Sequence, residues 1–245
     1  MNRFFTRVLP ILFLGLIVSA CAAQNQSFVP IGAMPNSLMR ASIDVTPDDL
    51  DSARTARILS YHLMLLRSKP LARAGGDRRV VYPADLVRKH GPIMKTAASF
   101  NIYVNCKSGG ESCWGDPEGF QQNLTGSRFA ALLTQYTNSP PSDYTFGGSF
   151  TVKYRTYTKL FYANDLLAVL HAALVRNENK AGYSNLYHIF LPKGADTCFD
   201  RTRSCYSPDH PRTNNFCAYH ESVAFKDVAQ HVIVSIEPYQ KVGFC

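Results

Sequence analysis

Apolar positions along residues 46–67 recur at helical spacing. Leu50, Ala53, Ala56, Leu59, Leu63 and Leu66 form one stripe. Thr46-Pro47-Asp48-Asp49 precedes it, with Thr as N-cap, Pro in the first turn and two acids at the positive helix end. The pattern predicts a single helix running through Arg67, stopped by Lys69-Pro70. Beyond Gly91-Pro92 the period changes. Phe100-Asn101-Ile102-Tyr103-Val104 alternates and is rich in β-formers, so a strand is expected there, and another at residues 150–154. Phe129 to Tyr136 reads as a helix capped by Thr125 or Ser127. Asn164-Asp165 opens a second one, Leu166 to Arg176, burying Leu167, Leu170, Ala173 and Leu174. Short apolar runs at residues 186–191 and 232–236 suit buried strands.

Strands alternating with helices predict a single α/β domain of three layers, with a mainly parallel or mixed sheet, over residues 46–245. No internal repeat is present. Gly147-Gly148-Ser149 is too short for a phosphate-binding glycine loop.

The start of the chain follows a different pattern. Arg3 and Arg7 give a basic beginning, Leu9 to Val18 is apolar, and small residues follow in Val18-Ser19-Ala20. That is the layout of an export signal over residues 1–20. The apolar run is shorter than the roughly 20 residues of a membrane span. Val-Ser-Ala-Cys resembles the lipobox of bacterial lipoproteins, in which the Cys is lipidated and the chain is cut just before it. The resemblance implies lipidation of Cys21, attachment to a membrane through that lipid, and, with Ala22 rather than Asp next, the outer membrane. A plain signal with Cys21 near its cut is the alternative. Residues 21–45 are polar, with Pro and Gly, and read as a tether.

An exported location changes the reading of the cysteines. Besides Cys21 there are Cys106, Cys113, Cys198, Cys205, Cys217 and Cys245, an even number that suggests disulfides stapling loops. Connectivity is open. Loop closure favours Cys106 with Cys113 and Cys198 with Cys205, each across a polar stretch, leaving Cys217 for Cys245. No Cys-x-x-Cys pair signals a redox site or zinc ribbon. The formal charge of +8 suits an anionic envelope polymer or polysaccharide. Nucleic acid is not expected as a partner, since no recognition motif for it is present.

The order of landmarks from residue 90 onward carries a second resemblance. His90-Gly91-Pro92-Ile93-Met94 comes before a strand, and Asn123-Leu124 leads into a helix ending at Tyr136. Leu186-Tyr187-His188-Ile189-Phe190-Leu191-Pro192-Lys193-Gly194 precedes Phe216-Cys217-Ala218-Tyr219-His220-Glu221-Ser222 and then a β-run ending Glu237-Pro238-Tyr239. This succession resembles the phosphate-induced protein 1, or EXORDIUM-like, family of plant cell-wall and bacterial secreted proteins. The resemblance covers residues 90–245 and implies an exported protein. A His-Glu-x-x-Glu segment found in bacterial relatives does not occur in these 245 residues.

Candidate chemistry gathers around His210, Cys217, His220, Glu221 and His231, with His188 in a predicted strand. Imidazole and thiolate bind zinc. A His-Glu-x-x-His motif, however, would need a His where Ala224 stands, so neither a metal nor another cofactor is expected. A Cys217–His220 nucleophile pair is opposed by strand alternation, which turns residues three apart to opposite faces. Trp114 is a candidate sugar platform or loop anchor, and the charged loop after Cys198 is a candidate binding loop. Two readings result: a non-catalytic envelope-binding module, and a metallopeptidase-like hydrolase using His220 and Glu221. For the anchor, the full chain expressed in a bacterium should incorporate labelled palmitate and sediment with membranes. Cys21→Ser should do neither, and an unlabelled wild type would refute lipidation.

Overall fold

Thr46 caps a helix as its neighbours predict, but that helix is short. The computed structural model describes residues 42–65, 93–106, 113, 115–140, 143–155, 159–178, 180–199, 205–206 and 216–240, all within one unit, Pro35–Cys245. Their order is β1 (Ile43–Asp44), α1 (Pro47–Thr55), β2 (Arg57–Leu65), β3 (Ala97–Val104), α2 (Pro117–Leu124), α3 (Arg128–Thr137), β4 (Tyr144–Lys153), β5 (Leu160–Tyr162), α4 (Ala163–Arg176), β6 (Asn185–Phe190), β7 (Asp196–Cys198), β8 (Cys205–Tyr206), β9 (Phe216–Ala224) and β10 (Val232–Glu237).

The Asp49 amide donates to Thr46 Oγ1 at 3.3 Å, and the Thr46 amide donates to the Asp49 carboxylate at 2.8 Å. This reciprocal box satisfies two helix-start donors. The chain turns extended at Ala56, and the expected continuation to Arg67 is overturned. Arg57–Leu65 instead pairs with β9 in an antiparallel ladder. Helical spacing is a weak prior, and backbone pairing along a sheet edge outweighs it. Leu59, a member of the predicted stripe, is left 42% exposed. The domain also begins earlier than residue 46, because Ile43 is buried in β1 against β4.

The other predicted elements stand: β3, β4, β6 and β10 as strands, and α3 and α4 as helices, with Ser127 as the α3 cap. Among the described residues they build an α/β domain on a seven-stranded mixed sheet, in the order β1-β4-β3-β6-β10-β9-β2. Neighbours from β1 to β10 are parallel, and β9 is antiparallel to both β10 and β2. A small second sheet has the order β5-β7-β8.

From β3 the chain moves to β4 on one side, and from β4 it returns past β3 to β6 on the other. Right-handed crossovers therefore place the two connections on opposite faces. Helix α4 covers Phe100, Ile102, Val104, Phe150, Val152 and Ile189, and Leu166 to Leu174 are buried against this core. Helix α2 lies on the other face, where the Ser149 hydroxyl donates to Glu118 at 2.5 Å. Gly147 is the extra residue where the β3–β4 register shifts, since Ser99 pairs with Phe146 and Phe100 with Gly148. A Cβ on Gly147 would lie 2.5 Å from the Phe100 ring, which is why a glycine stands there.

Disulfides Cys106–Cys113 and Cys198–Cys205 are formed as loop closure favours. The first is buried with Tyr103 and Phe190, and the second joins β7 to β8. Cys217 is also disulfide-bonded. Cys21 and Cys245 lie outside the described residues.

Helix α1 is locked onto α4 by His171. Its Nδ1 meets the buried Asp49 carboxylate at 2.6 Å, and its Nε2 meets Asp227 at 2.8 Å. Asp227 also accepts from Ser52 of α1. Slight burial pushes the Asp227 carboxyl up, but the hydrogen bonds from His171, its own backbone and Ser52 more than offset this and hold it below the ordinary range. A carboxyl with a depressed folded pKa contributes stability above its unfolded value, which is lost as pH falls through the folded one. Removing one partner of a buried pair leaves the other uncompensated, so His171→Ala should cost about 3 kcal/mol in urea unfolding. Arg54→Ala, at the exposed Arg54–Asp51 pair, should change stability by less than about 0.5 kcal/mol. Equal effects of the two substitutions would contradict the lock.

Candidate functional site

In open parallel sheets, ligands bind outside the carboxyl ends of the strands, where neighbouring connections leave on opposite faces. Here that place lies beyond β3 and β4. Asn105, the residue after β3, adopts a left-handed backbone (φ 54°). Its side-chain amide donates to the Tyr154 carbonyl at 2.7 Å and accepts from the Tyr154 amide at 2.8 Å. The Asn105 side chain thus continues the β3–β4 pairing by one rung beyond the strands and sets where Tyr154 stands.

The Tyr154 hydroxyl then donates to Asp165 at 2.5 Å, and the other Asp165 oxygen accepts from the Tyr162 amide at 2.8 Å. Asp165 therefore caps α4 and anchors Tyr154 together. Burial, then the Asp165 hydrogen bond and charge, raise the Tyr154 pKa well above the ordinary phenol value. The phenol keeps its proton and remains a donor.

Two adjoining cavities open around this pair, of about 570 and about 740 Å³, sharing Leu50 and Tyr154. Tyr162, Asn164, Arg54 and Phe199 line the first, while Asp44, Lys153 and Arg155 line the second. Helix α1 supplies Leu50 and Arg54, so its lock onto α4 also forms a wall of the crevice. Three exposed cations, Arg54, Lys153 and Arg155, stand here against two acids, with Arg54 paired to Asp51 and Asp165 committed to Tyr154 and Tyr162. Rings, amides and cations around a concave surface are recognition chemistry for a polar ligand with flat apolar faces.

Among the described residues, none of the candidate site residues His188, Cys217, His220, Glu221 and His231 lines this crevice. His188 and His220 do share one sheet face, each the register partner of Ser235 in β10, on either side of it. Two strand spacings, about 10 Å, separate their backbones. Glu221 points to the opposite face: His220 is exposed and Glu221 is 3% exposed. His220 and Glu221 therefore do not meet, and the hydrolase pairing has no common site. His231 precedes β10, and its carbonyl accepts from the Gly182 amide at 2.8 Å. Cys217, being in a disulfide, is neither thiolate ligand nor nucleophile. Trp114, His210 and most of the loop after Cys198 lie outside the described residues. Among the described residues no group of three His, Cys, Asp or Glu gathers to hold a metal.

His188 instead ends a hydrogen-bonded chain. The Ser235 hydroxyl donates to Glu237 at 2.8 Å and so accepts from His188 Nδ1–H at 2.8 Å. Burial lowers the His188 pKa to about 4, so the ring is neutral at pH 7. Burial raises Glu237, with the Ser235 hydrogen bond opposing. The chain ties β6 to β10.

Sequence reasoning missed Tyr154, Tyr162 and Asn105. The nearest signal is Asn164-Asp165, which marks a helix start. Searches of protein-family models, curated proteins and solved structures find no match to this chain.

Burial alone raises Glu221 to about 7, and its Oε2 has no hydrogen bond. A carboxyl with a raised folded pKa stabilises the fold below its unfolded value, and that contribution is lost as pH rises through the folded one. Stability should fall between roughly pH 4.5 and 7 by an amount on the order of 3 kcal/mol. Glu221→Gln should flatten that fall. An unchanged pH–stability curve in the variant would show that Glu221 titrates normally.

Proposed function

We propose that the chain is a lipid-anchored protein of the bacterial outer membrane whose domain is a non-catalytic module binding an acidic envelope polysaccharide. The observation that carries this reading is the crevice beyond β3 and β4, with Tyr154 and Tyr162 beside Arg54, Lys153 and Arg155. Tyrosine rings offer an apolar face and a polar edge, which suits the alternating C–H and hydroxyl faces of a pyranose. Guanidinium groups pair with carboxylates in a bidentate fork. The ionisable groups at the centre, Tyr154 and Asp165, are bonded to each other and shape the crevice, leaving neither as a poised nucleophile or base.

The positive balance of the chain draws polyanions toward it, and a membrane anchor holds many copies against a polymer with repeated sites. Alginate oligomers, which are acidic, should bind the purified chain with an affinity that falls as salt rises. Neutral dextran oligomers should bind at least about tenfold more weakly, a difference of about 1.4 kcal/mol. Tyr162→Ala and Arg155→Glu should each weaken alginate binding about tenfold while leaving the unfolding midpoint unchanged. Lys226→Glu, a charge reversal away from the crevice, should have little effect. Equal losses in Lys226→Glu and Arg155→Glu would reduce the reading to overall charge, and absent alginate binding would sink it.

A further inference from the structure

On the face opposite α4, at the amino ends of β3, β4 and β6, a third cavity of about 400 Å³ lies beneath α2 and α3. Its size falls within the range of small-molecule pockets. Ala97 and Ala130, both buried, keep it open by bringing no bulk, and Leu124 and Leu186 add aliphatic wall. At the rim, Phe129 is 66% and Leu133 39% exposed. Large apolar side chains held in water around an apolar hollow mark a binding surface.

Ser99, Thr137, Tyr144 and Thr145 also line the cavity, the Tyr144 hydroxyl engaged with the Met94 carbonyl and Thr137, and Thr137 with the Leu133 carbonyl. Gln121 of α2 is the polar side chain of this lining whose buried acceptor is unmet. It is only 9% exposed, and its Oε1 has no hydrogen-bond partner. An unmet buried acceptor costs about 1–3 kcal/mol, which a ligand N–H or O–H would recover. We propose that this cavity binds an amide-linked acyl chain, its methylenes along the Ala130–Leu186 wall and its amide N–H donated to Gln121 Oε1. A free hydrocarbon would fill the wall but leave Gln121 unmet. A carboxylate would bring a second acceptor against it. A secondary amide on a long chain supplies what both parts of the lining require.

Two sources share this chemistry: an N-acylated envelope lipid, and the N-acylated terminus that lipidation at Cys21 would create. The proposal is independent of the polysaccharide reading, because the two sites lie on opposite faces and opposite ends of the parallel strands.

The test uses N-lauroylglycine, whose amide keeps its N–H, against N-lauroylsarcosine, whose amide nitrogen is methylated. Both are titrated below micelle formation into the full chain carrying Cys21→Ser. One equivalent of N-lauroylglycine should bind, about tenfold tighter than the sarcosine analogue. Gln121→Leu should still bind both but lose the difference. Ala130→Phe, with an unchanged circular dichroism spectrum, should bind neither. Saturable binding to the lipidated wild type as well assigns the cavity to an external acyl amide, and binding to Cys21→Ser alone assigns it to the chain's own terminus. No binding, equal affinities for the two probes, a preference that survives Gln121→Leu, or undiminished binding in Ala130→Phe would each overturn the proposal.

Discussion

The handedness of two crossovers organises this domain. The step from β3 to β4 and the step from β4 back past β3 to β6 run in opposite directions across the sheet. With both right-handed, α2 and α3 must lie on one face and α4 on the other. That single constraint parts the strand ends beyond β3 and β4 and produces the crevice. It also places a pair of helices over the amino ends of β3, β4 and β6, where short side chains leave a hollow. Neither cavity needs an inserted loop or a second domain.

What keeps the crevice in shape is a set of side chains that each serve two neighbours. Asp49 closes the N-cap box of α1 and grips His171 of α4. Asp165 closes the first turn of α4 and receives the Tyr154 hydroxyl. Asn105 extends a strand pairing through its side chain. For Asp49 and Asp165 one buried or half-buried carboxylate satisfies a helix start and a tertiary partner at once, so the desolvation cost is incurred once for two contacts. The same logic explains why helix caps and crevice residues coincide in this chain.

The parts of the fold that the sequence revealed are those where local pattern and tertiary packing agree. The alternation in β3, the apolar face of α4 and the short run of β6 each face the buried core they predict. The helix predicted through Arg67 failed because Leu59 and its neighbours satisfy both a helical and a strand arrangement, and only the edge of β9 decides between them. Helix α2 went unread because Pro117 and Gly119 look like turn residues, although Asp116 caps it through the Gly119 amide. The crevice was invisible for a different reason. Tyr154, Tyr162 and Asn105 are ordinary residues in separate elements, and nothing short of the strand order brings them together. Among the described residues, His188 serves the β6–β10 link and Cys106, Cys113, Cys198, Cys205 and Cys217 are in disulfides, whereas His171 of the α1–α4 lock carried no signal in the sequence.

That distribution bears on what kind of protein this is. Catalytic sites concentrate perturbed titratable groups in a cleft. Here most of the perturbed groups lie in the packed sheet, Glu221 among the residues facing the core and His188 and Glu237 along a hydrogen-bonded chain between strands, while Tyr154 stands in the crevice with its hydroxyl donated to Asp165. Burial is the leading cause of these shifts, and by disfavouring the charged form it lowers the cost of keeping the groups inside. Around the crevice, the exposed charges beside aromatic rings are Lys153 and Arg155, with Arg54 paired to Asp51. Fixed cations beside flat rings are groups that can hold a ligand, which is the role proposed for the crevice. On the proposed reading, a lipid anchor and the crevice would serve one task, keeping a polymer close to a membrane.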